Sequence, residues 1–466
     1  MLKDPFVGAY DALNSEQKRA VDTIEGPVMV IAGPGTGKTS ILTLRIANIL
    51  RKTDTPANGI LALTFTESGV HSMRRKLVGF LGGEAYRVHI HTFHGFAQEI
   101  ISRYPEYFPR IIGGTVISDS GKFSILEEDI LSGEYELIRP FGRPTLYVRK
   151  ALGAIQDLKR DGINPDDFKF ILEKEEKDIL GLKDLHHEKG RSKGLMKREY
   201  MEALRNNAKN RELVNLYIGY EKALREGGFY DYDDMLLELV RALKENKDFL
   251  RTLQEEYLYI LADEHQDANN SQNSILELLS DYSDTQNLFI VGDEKQAIYR
   301  FQGASLENFL YFQKKYPNAE VIFLDHNYRS TQTILDTSHA LMVSDAPDPK
   351  LRPKLSSMNK GVKEEPLRLM HFSIPDDEEE GVAEDIKKAI DSGVAPEDIA
   401  VLVRTNAKIS LIGRSLAGFN IPHTLFTDDD VLADSDIAKL LIIMLSLIHI
   451  SEPTRLRRIS YAVFCL

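Results

Sequence analysis

The chain has 466 residues, of which 42% are hydrophobic and 28% are charged. That composition is typical of globular proteins and excludes collagen, bulk disorder and a disulfide scaffold, while the length predicts about three domains. With 58 basic and 71 acidic residues the net charge is −13, which argues against a polybasic mode of nucleic-acid binding but permits a local basic groove.

Short apolar runs rich in β-branched residues predict buried parallel strands. These runs are 28–33, 60–65, 87–91, 257–262, 288–291, 321–324 and 399–403. Residues 40–50, shortly after the first run, have helical apolar spacing. Strands that alternate with helices predict the α/β class, with parallel sheets covered on both faces.

Three further stretches have a clear interpretation. Residues 110–210 are charged and poor in strand signals, and we interpret them as a helical domain inserted into the first α/β domain. The acidic stretch 230–234 lacks the ligand and glycine spacing of a calcium loop and is interpreted as a helix cap. The acidic run 376–380 is interpreted as a solvated loop or helix start.

A glycine-rich loop follows the first predicted strand and opens the first predicted helix. Its eight residues are predicted to bind a nucleotide: Ala32, Gly33, Pro34, Gly35, Thr36, Gly37, Lys38 and Thr39. The strict phosphate-loop pattern begins with glycine, so Ala32 makes this a relaxed match. Backbone N–H groups would converge on phosphate oxygens at the positive end of the helix. Lys38 would reach the β- and γ-phosphates, and the Thr39 hydroxyl would bind Mg²⁺.

Asp263 and Glu264 directly follow another predicted strand. A carboxylate in this place can hold Mg²⁺, the role predicted for Asp263, and a second carboxylate, Glu264, can orient or deprotonate the attacking water. Together with the phosphate loop, this pair predicts hydrolysis of a nucleoside triphosphate.

With several further motifs in a fixed order, the chain resembles the superfamily 1 DNA helicases of the UvrD/Rep/PcrA group. The motifs are Leu13–Gln17, the phosphate loop, Leu63–Thr66, Thr92–His94, Asp263–Asp267 with Gln272, Val291–Phe301, Asn327–Ser330 and 400–406. The resemblance covers about residues 10–444. It implies two RecA-like P-loop domains, ATP and Mg²⁺ as cofactors, and single-stranded DNA and duplex junctions as partners. It also implies translocation in the 3′ to 5′ direction.

The resemblance assigns roles at the nucleotide. Gln17 would read the adenine edge, and Tyr328 would stack on adenine. Gln296 would sense the γ-phosphate and link it to the DNA groove. Arg329 would be an arginine finger from the second RecA-like domain, stabilising charge on the transferred phosphoryl group. With Lys38 and Glu264, Gln296 and Arg329 complete the predicted catalytic set.

It also implies a DNA-binding set: Thr64, Phe65, Thr92, His94, Tyr299 and Phe301. The Phe and Tyr members would be platforms for unstacked bases, and the others would touch the DNA backbone or its bases. Two positions depart from the family pattern. Phe301 stands where the family often has Trp, and Gln302 stands where many members have Arg, which questions one basic contact.

The same resemblance divides the chain. Residues 1–110 and 211–325 would form the first RecA-like, ATP-binding domain, 111–210 the inserted helical domain, and 326–444 the start of the second RecA-like domain. Residues 445–466 resemble the translation of a sequencing-library adaptor, so we expect the native sequence to continue differently after Met444. Motifs V and VI would lie beyond that point, so weak or absent unwinding by residues 1–466 is expected.

Two alternatives stay open. One is the motor part of an AddA/RecB-like helicase–nuclease, which a nuclease segment near the C-terminus would distinguish. The other is a nucleotide- or DNA-binding module without unwinding activity. A guanine-specific version is disfavoured, because residues 246–249 fail the N-K-x-D pattern at its fourth position.

The cellular setting follows from a few features. The single cysteine, Cys465, excludes an intrachain disulfide and indicates a reducing compartment. The first residues carry no apolar signal segment, and the most apolar run, 440–450, is shorter than the about 20 residues that a bilayer span needs. We therefore expect a cytoplasmic protein with no membrane partner. The sequence indicates neither a pathway nor protein partners.

Three histidines lie close together, His89, His91 and His94. The first two share a strand face by their i, i+2 spacing, which suits zinc. No cysteine or carboxylate cluster adjoins them in the sequence, so a zinc site is not predicted here. Metal binding is assigned to Thr39 and Asp263 alone.

Overall fold

The computed structural model describes residues 4–182, 184–187, 194–282, 285–296, 306–343 and 354–426. Tyr299, Phe301 and Gln302 lie outside the described residues, as do Cys465 and the stretch 440–466 with Met444 and the adaptor-like tail. The chain divides into two compact units, Met1–Pro366 and Leu367–Leu466. Among the described residues, no helix combines the length and apolar character that a membrane crossing requires.

The strands of the described part are short. They are β1 (Val28–Ala32), β2 (Ile60–Thr64), β3 (His89–Thr92), β4 (Thr115–Val116), β5 (Phe229–Tyr230), β6 (Tyr259–Ala262), β7 (Leu288–Gly292), β8 (Glu320–Leu324), β9 (His326–Asn327) and β10 (Ser356–Ser357). Six of the seven strands predicted from apolar runs are present as β1, β2, β3, β6, β7 and β8, which confirms those predictions.

The helices of the described part connect these strands. They are α1 (Pro5–Asp11), α2 (Ser15–Asp22), α3 (Lys38–Lys52), α4 (Glu67–Leu81), α5 (Phe93–Arg103), α6 (Asp119–Ser132), α7 (Val148–Arg160), α8 (Pro165–Leu180), α9 (Arg198–Gly227), α10 (Tyr232–Glu245), α11 (Lys247–Glu256), α12 (Asn270–Ser280), α13 (Leu306–Lys315), α14 (Gln332–Val343), α15 (Pro375–Asp391) and α16 (Asn406–Gly418).

One parallel sheet organises the first unit, in the order β3-β2-β6-β7-β1-β8. The strand β1 lies between β7 and β8, so that Val30 is in register with both Val291 and Ile322. Because the strands are parallel, the loops after all six reach the same edge of the sheet. That edge is where the predicted nucleotide and DNA motifs come together.

Both faces of this sheet are covered, which explains why its strands are apolar without alternation. All residues of β1, β2, β6 and β7 are buried. Successive residues of a strand point to opposite faces of the sheet. Met29 belongs to the core that contains Phe96 and Ile290, whereas Val30 belongs to the core that contains Ile41 and Phe289. The α/β class with a covered parallel sheet is therefore confirmed.

The region after residue 110 is helical, as predicted. Helices α6, α7 and α9 share a separate core that includes Leu126, Ile155, Leu216, Tyr217 and Tyr220. The acidic stretch 230–234 caps α10, with Asp231 at the N-cap position accepting from the N–H of Asp234 at 3.0 Å. The interpretation as a helix cap is therefore confirmed.

The second unit corrects one prediction. Residues 399–403, predicted to be a strand, are not in a strand, and the Leu402 side chain is 95% exposed. A β-strand requires a neighbour for its ladder, and the described part of this unit provides none for this segment. Helices α15 and α16 pack on Ala383, Ile412 and Leu416 instead. The acidic run 376–380 lies in the first turns of α15, so its interpretation as a helix start is confirmed.

Candidate nucleotide and DNA site

The glycine-rich loop lies between β1 and α3 and has the backbone that a phosphate cradle needs. Gly35 and Gly37 have φ values of +69° and +93°, which side chains rarely tolerate. The buried Thr36 closes the turn by donating its hydroxyl hydrogen to the Gly33 carbonyl oxygen at 2.8 Å. Gly37 is the N-cap of α3 and offers no side chain to the first-turn N–H groups. These groups can therefore receive an anion at the positive end of the helix.

Lys38, in the first turn of α3, is held by the predicted base. Its Nζ lies 2.7 Å from Oε2 of Glu264, and the two side chains are 10% and 34% exposed. Glu264 follows β6 with φ +50°, a left-handed conformation that is uncommon for a residue other than glycine. Such outliers occur at functional sites, where surrounding contacts hold them. The sequence-predicted pair is thus brought together across the sheet.

Two buried carboxyl groups flank Glu264. Burial, together with the nearby Glu264 charge, raises the pKa of Asp263 to about 6. The same causes raise the pKa of Asp267 to about 6, and its buried Oδ1 has no hydrogen-bond partner among the described residues. Asp263 and the Thr39 hydroxyl offer only oxygen donors, which suit a hard cation such as Mg²⁺. The residues present therefore fit the predicted metal.

A chain of hydrogen bonds leads from Glu264 to Gln296. Gln266 donates from Nε2 to Glu264 Oε2 at 2.8 Å, and its Oε1 accepts from the backbone N–H of Asp293 at 3.0 Å. Asp293, which is buried, accepts in turn from Gln296 Nε2 at 2.8 Å. Gln296 is thereby connected to Lys38 through hydrogen bonds between two loops. The sequence interpretation gave Gln266 and Asp293 no role.

The segment after β8 rests directly on the phosphate loop. The backbone N–H of Tyr328 donates to the Gly35 carbonyl oxygen at 2.9 Å, and Asn327 donates from its amide to the carbonyl oxygen of Pro34. A Cβ atom at Gly35 would come within 2.7 Å of Cβ of Arg329. Glycine is thus required at position 35. The Cβ atom of Arg329 lies beside the phosphate loop, and its side chain is exposed.

The predicted adenine residues are connected through Asn14. Asn14 and Gln17 form a capping box at the start of α2, and Asn14 Nδ2 donates to the Tyr328 hydroxyl at 3.1 Å. Gln17 also donates from Nε2 to the carbonyl oxygen of Thr36 at 2.8 Å. Its amide retains one N–H and one lone pair, the complement of an adenine N7 and amino edge. The ring of Tyr328 is 45% exposed and can receive a base.

The predicted DNA-binding residues that the structure describes lie at, or just after, the carboxyl ends of β2 and β3. Thr64 and Thr92 are register partners on these neighbouring strands. Thr64 is buried, whereas Phe65, Thr92 and His94 are half-buried. The Thr92 hydroxyl accepts from the N–H of Gly95 at 3.0 Å as the cap of α5 and donates to Glu67 at 3.1 Å.

Of these four residues, His94 is the one with an ionisable side chain, and its surroundings disfavour the charged form. Its ring meets Tyr232 edge-on, with centroids 5.8 Å apart. Burial, with the nearby Arg160 charge, lowers the pKa of His94, and its buried Nε2 has no hydrogen-bond partner among the described residues. A neutral ring with one unsatisfied nitrogen can bond to a base or sugar rather than neutralise a phosphate.

Sequence reasoning missed four residues that organise the site: Asn14, Gln266, Asp293 and Asn327. The role of Asn14 had a signal, because an Asn followed by Gln three residues later is the capping-box pattern. Asn327 lies in the motif Asn327–Ser330, in which the family resemblance implies roles for Tyr328 and Arg329 alone. For Gln266 and Asp293 only the partners in space reveal the role.

A parallel sheet with a glycine-rich loop after β1 and paired acidic residues after β6 defines a P-loop protein of the RecA-like class. Comparison with protein families agrees. The UvrD/REP helicase N-terminal domain matches residues 13–317, and the UvrD-like helicase C-terminal domain matches residues 322–462. The chain belongs to the UvrD/REP helicase family.

Relatives of known name are similar over almost the whole chain. The ATP-dependent DNA helicase PcrA of Staphylococcus aureus is 29% identical over 447 residues, which cover 96% of this chain and 55% of the relative. The protein of the same name from Staphylococcus epidermidis is 29% identical over 448 residues, with the same shares covered. The chain therefore spans about half the length of the curated relatives that it matches.

Proposed function

We propose that this chain is the motor region of an ATP-dependent DNA helicase, which hydrolyses ATP and moves along single-stranded DNA. The observation that carries the proposal is the 2.7 Å contact of Lys38 with Glu264, beside a helix N-terminus without a side-chain cap. A cation and a carboxylate thus adjoin a helix N-terminus that no side chain caps. Family membership and the printed name of the relatives support the same activity.

The nucleotide would replace contacts that the protein makes with itself. The β- and γ-phosphates would take Lys38 from Glu264 and occupy the first turn of α3. The adenine would lie between the Tyr328 ring and the remaining hydrogen-bonding groups of Gln17. Thr39 and Asp263 would hold Mg²⁺, which supplies charge neutralisation between the β- and γ-phosphates.

Glu264, freed from Lys38, would then accept a proton from the water that attacks the γ-phosphorus. The bond between that phosphorus and the β–γ bridging oxygen breaks, and Lys38 and Arg329 stabilise the charge that develops. The hydrogen bonds through Gln266 and Asp293 give Gln296 a route by which to sense the change at Glu264. In this way a change at the nucleotide on hydrolysis would be transmitted to the segment that precedes Tyr299 and Phe301 in the sequence.

DNA would bind at the end of β2 and β3, with Thr64, Phe65, Thr92 and His94 on its path. A 3′ to 5′ direction, the domain boundaries 1–110 with 211–325, 111–210 and 326–444, and weak unwinding by residues 1–466 alone belong to the proposal as well. These rest on the family resemblance. Single-stranded DNA should stimulate hydrolysis, because the hydrogen bonds from Glu264 through Gln266 and Asp293 to Gln296 would couple the nucleotide to the DNA-binding loops.

The test is ATP hydrolysis with and without single-stranded DNA by the parent chain and two variants. Lys38→Ala removes the charge contact to the phosphates and should abolish DNA-stimulated hydrolysis. Glu264→Gln keeps the shape but not the base, and should lower kcat by roughly 10²–10⁴-fold while nucleotide binding persists. Lys52→Ala is the matched control, since Lys52 pairs with Asp22 at the far end of α3.

The outcomes separate the parts of the proposal. Retained hydrolysis in Lys38→Ala would show that this loop is not the working site. If Lys38→Ala loses hydrolysis but DNA does not change the rate of the parent chain, the chain is an ATPase and the proposal of a DNA motor is wrong. A loss in Lys52→Ala equal to that in Lys38→Ala would indicate a general effect of charge on α3.

A further inference from the structure

A group of side chains away from the phosphate loop has the composition of a metal site. His89 and His91 of β3 and Glu99 of α5 each direct one ligand atom to the same point, and these atoms lie within 4.8 Å of one another. Glu99 Oε2 is 2.9 Å from His91 Nε2, and Glu99 Oε1 is 3.5 Å from His89 Nδ1. Tetrahedral zinc with bonds of 2.0–2.2 Å places its ligand atoms about 3.3–3.6 Å apart, so small adjustments suffice.

The local fold explains why these three residues meet. His89 and His91 lie on one face of β3, which is the edge strand of the described sheet. Thr92 ends β3 and caps α5, and the helix then runs back along the strand. Seven residues of helix from Thr92 to Glu99 rise about 10 Å, and three residues of strand from Thr92 to His89 span about 10 Å. Glu99 therefore returns to the level of the two histidines.

The prediction against a zinc site rested on the absence of a carboxylate near the histidines in the sequence. The structure supplies one from the helix, eight residues after His91. His94, the third histidine of the sequence group, is not part of it, because its ring faces Tyr232. The ligand set is therefore His89, His91 and Glu99.

The negative charge of Glu99 has no lysine or arginine partner among the described residues, so it can attract a cation. Its ion-pair partners among the described residues are His89 and His91, and these hydrogen bonds hold the pKa of Glu99 well below its usual range. Arg103, one turn further along α5, is engaged by Glu256 at 2.7 Å and by the Tyr257 hydroxyl at 2.9 Å. The carboxylate is thus paired with two imidazole rings, and all three groups can bind a metal.

We propose that His89, His91 and Glu99 form a Zn²⁺ site that fastens β3 to α5. Two imidazole nitrogens and one carboxylate oxygen favour zinc over magnesium, which prefers oxygen ligands. The three side chains are 20%, 25% and 30% exposed, so water can complete the coordination. Three strands, β2, β6 and β7, separate this site from the phosphate loop after β1. It therefore differs from the magnesium position at Thr39 and Asp263.

The position has a consequence for the DNA-binding edge. A metal that joins His91 to Glu99 restrains both sides of the turn that carries Thr92 and His94. Protons compete with the metal for the same atoms, so affinity falls as the pH is lowered. Besides the three ligands, the described residues place Tyr257 at the site, with its ring 5.3 Å from that of His89, and the Tyr257 hydroxyl accepts from Arg103, which pairs with Glu256.

The experiment titrates Zn²⁺ into the 466-residue chain, prepared without a histidine tag and stripped with a chelator, by calorimetry. We expect one zinc per chain, unaffected by excess Mg²⁺, and a rise in Tm on binding. Loss of an outer-shell partner alone changes metal affinity about 10–100-fold, so loss of a ligand in His91→Ala or Glu99→Gln should weaken binding about 100-fold or more. His71→Ala, at an exposed histidine of α4, is the matched control.

Glu99→Gln keeps the size of the side chain, with one oxygen to accept from one imidazole and one NH₂ group to donate to the other, so it guards against a variant that fails to fold. Circular dichroism of the metal-free variants checks this directly. Zinc binding that persists in both His91→Ala and Glu99→Gln would overturn the proposal, as would a parent chain that binds no zinc. Substitution by Co²⁺ gives a second readout, because its visible spectrum reports nitrogen and oxygen ligands and should disappear in Glu99→Gln.

Discussion

The side-chain amide of Asn327 donates a hydrogen bond to the carbonyl oxygen of Pro34, so the segment after β8 is fastened to the phosphate loop. Asn327 is fully buried. Its Oδ1 accepts from the backbone N–H groups of Arg329 at 2.9 Å and Ser330 at 2.7 Å. One side chain thus holds both the loop predicted to bind phosphate and the arginine predicted to act on it.

Replacing Asn327 with Ala should therefore weaken both stability and activity. The change leaves one carbonyl and two N–H groups without their partner, and since these groups are only partly buried the cost is at the low end of the usual range, about 1 kcal/mol. We expect the free energy of unfolding to fall by about that amount in a urea titration. Misplacement of Arg329 should lower kcat for ATP by up to about 10²-fold.

Asn327→Asp separates the two contacts. It keeps the acceptor for Arg329 and Ser330 but loses the donor to Pro34 and adds a negative charge beside the phosphate loop. We expect the KM for ATP to rise more than kcat falls. Asn270→Ala, at an exposed position of α12, is the control for asparagine loss. An unchanged kcat in Asn327→Ala would show that Arg329 does not depend on this contact.

The sheet was predictable because its strands are buried on both faces. Such strands are continuous apolar runs, and parallel connections place their final residues at one edge. The positions of Lys38 and Glu264 at that edge followed without any knowledge of contacts. Run 399–403 has the same composition and is not a strand, because strand formation depends on a neighbouring strand as well as on the run itself.

The connections within the site were not predictable in the same way. Gln266 joins Glu264 to Asp293 through atoms that are 27 residues apart in the chain, and nothing in the local sequence marks that pairing. Glu99, in contrast, has a spacing in the sequence that could have indicated its role. Its spacing from His91 suits a helix that runs back along the strand, but no carboxylate adjoins the histidines in the sequence, and only the fold brings Glu99 to them. The nucleotide and DNA roles of individual residues stay predictions.

The pKa of Asp263 leads to a prediction about pH. Its pKa in the folded chain is raised from 3.8 to about 6, chiefly by burial and then by the Glu264 charge. The folded state therefore favours the protonated carboxyl, and this contribution to stability is present below about pH 4 and lost as the pH rises through about 6. A rise of about two pKa units corresponds to about 3 kcal/mol.

Asp263→Asn cannot ionise and should be free of that loss. In urea titrations of the nucleotide-free chain between about pH 4 and pH 7, its free energy of unfolding should decline less than that of the parent. Its amide oxygen can still accept from the N–H of Glu264, which bonds Asp263 at 3.0 Å. Asp248→Asn, at an exposed carboxyl of α11, should follow the parent curve. Parallel curves for Asp263→Asn and the parent would contradict the assignment.

A buried ionic cluster connects α7 to α9 and to the start of α10. Lys159 of α7 has a side chain with no exposed surface, and its Nζ lies 2.6 Å from Glu221, 2.8 Å from Asp231 and 2.7 Å from Asp234. Arg110 contacts Glu221 as well. The three carboxylates strongly raise the pKa of Lys159 against the effect of burial. The lysine is therefore charged, and the cluster depends on it.

Lys159→Met should accordingly be among the most destabilising single changes in the chain. It fills the space of the lysine stem but leaves Glu221, Asp231 and Asp234 without their shared cation, and breaking a buried pair in this way costs about 3–5 kcal/mol. Without the cation, the pKa values of these carboxyls rise in the folded state. The difference from the parent in unfolding free energy should therefore shrink as the pH falls and the carboxyls take up protons.

Arg198→Ala is the matched control on α9. Arg198 makes an ion pair with Glu202 at 2.7 Å, as short as those of Lys159, but its side chain is 88% exposed. Water screens that pair, so its loss should change the free energy of unfolding by no more than about 1 kcal/mol. Equal effects of the two substitutions would contradict the view that burial, rather than distance, makes the Lys159 cluster important. A large loss in Lys159→Met that does not depend on pH would point to packing of the lysine stem rather than to its charge.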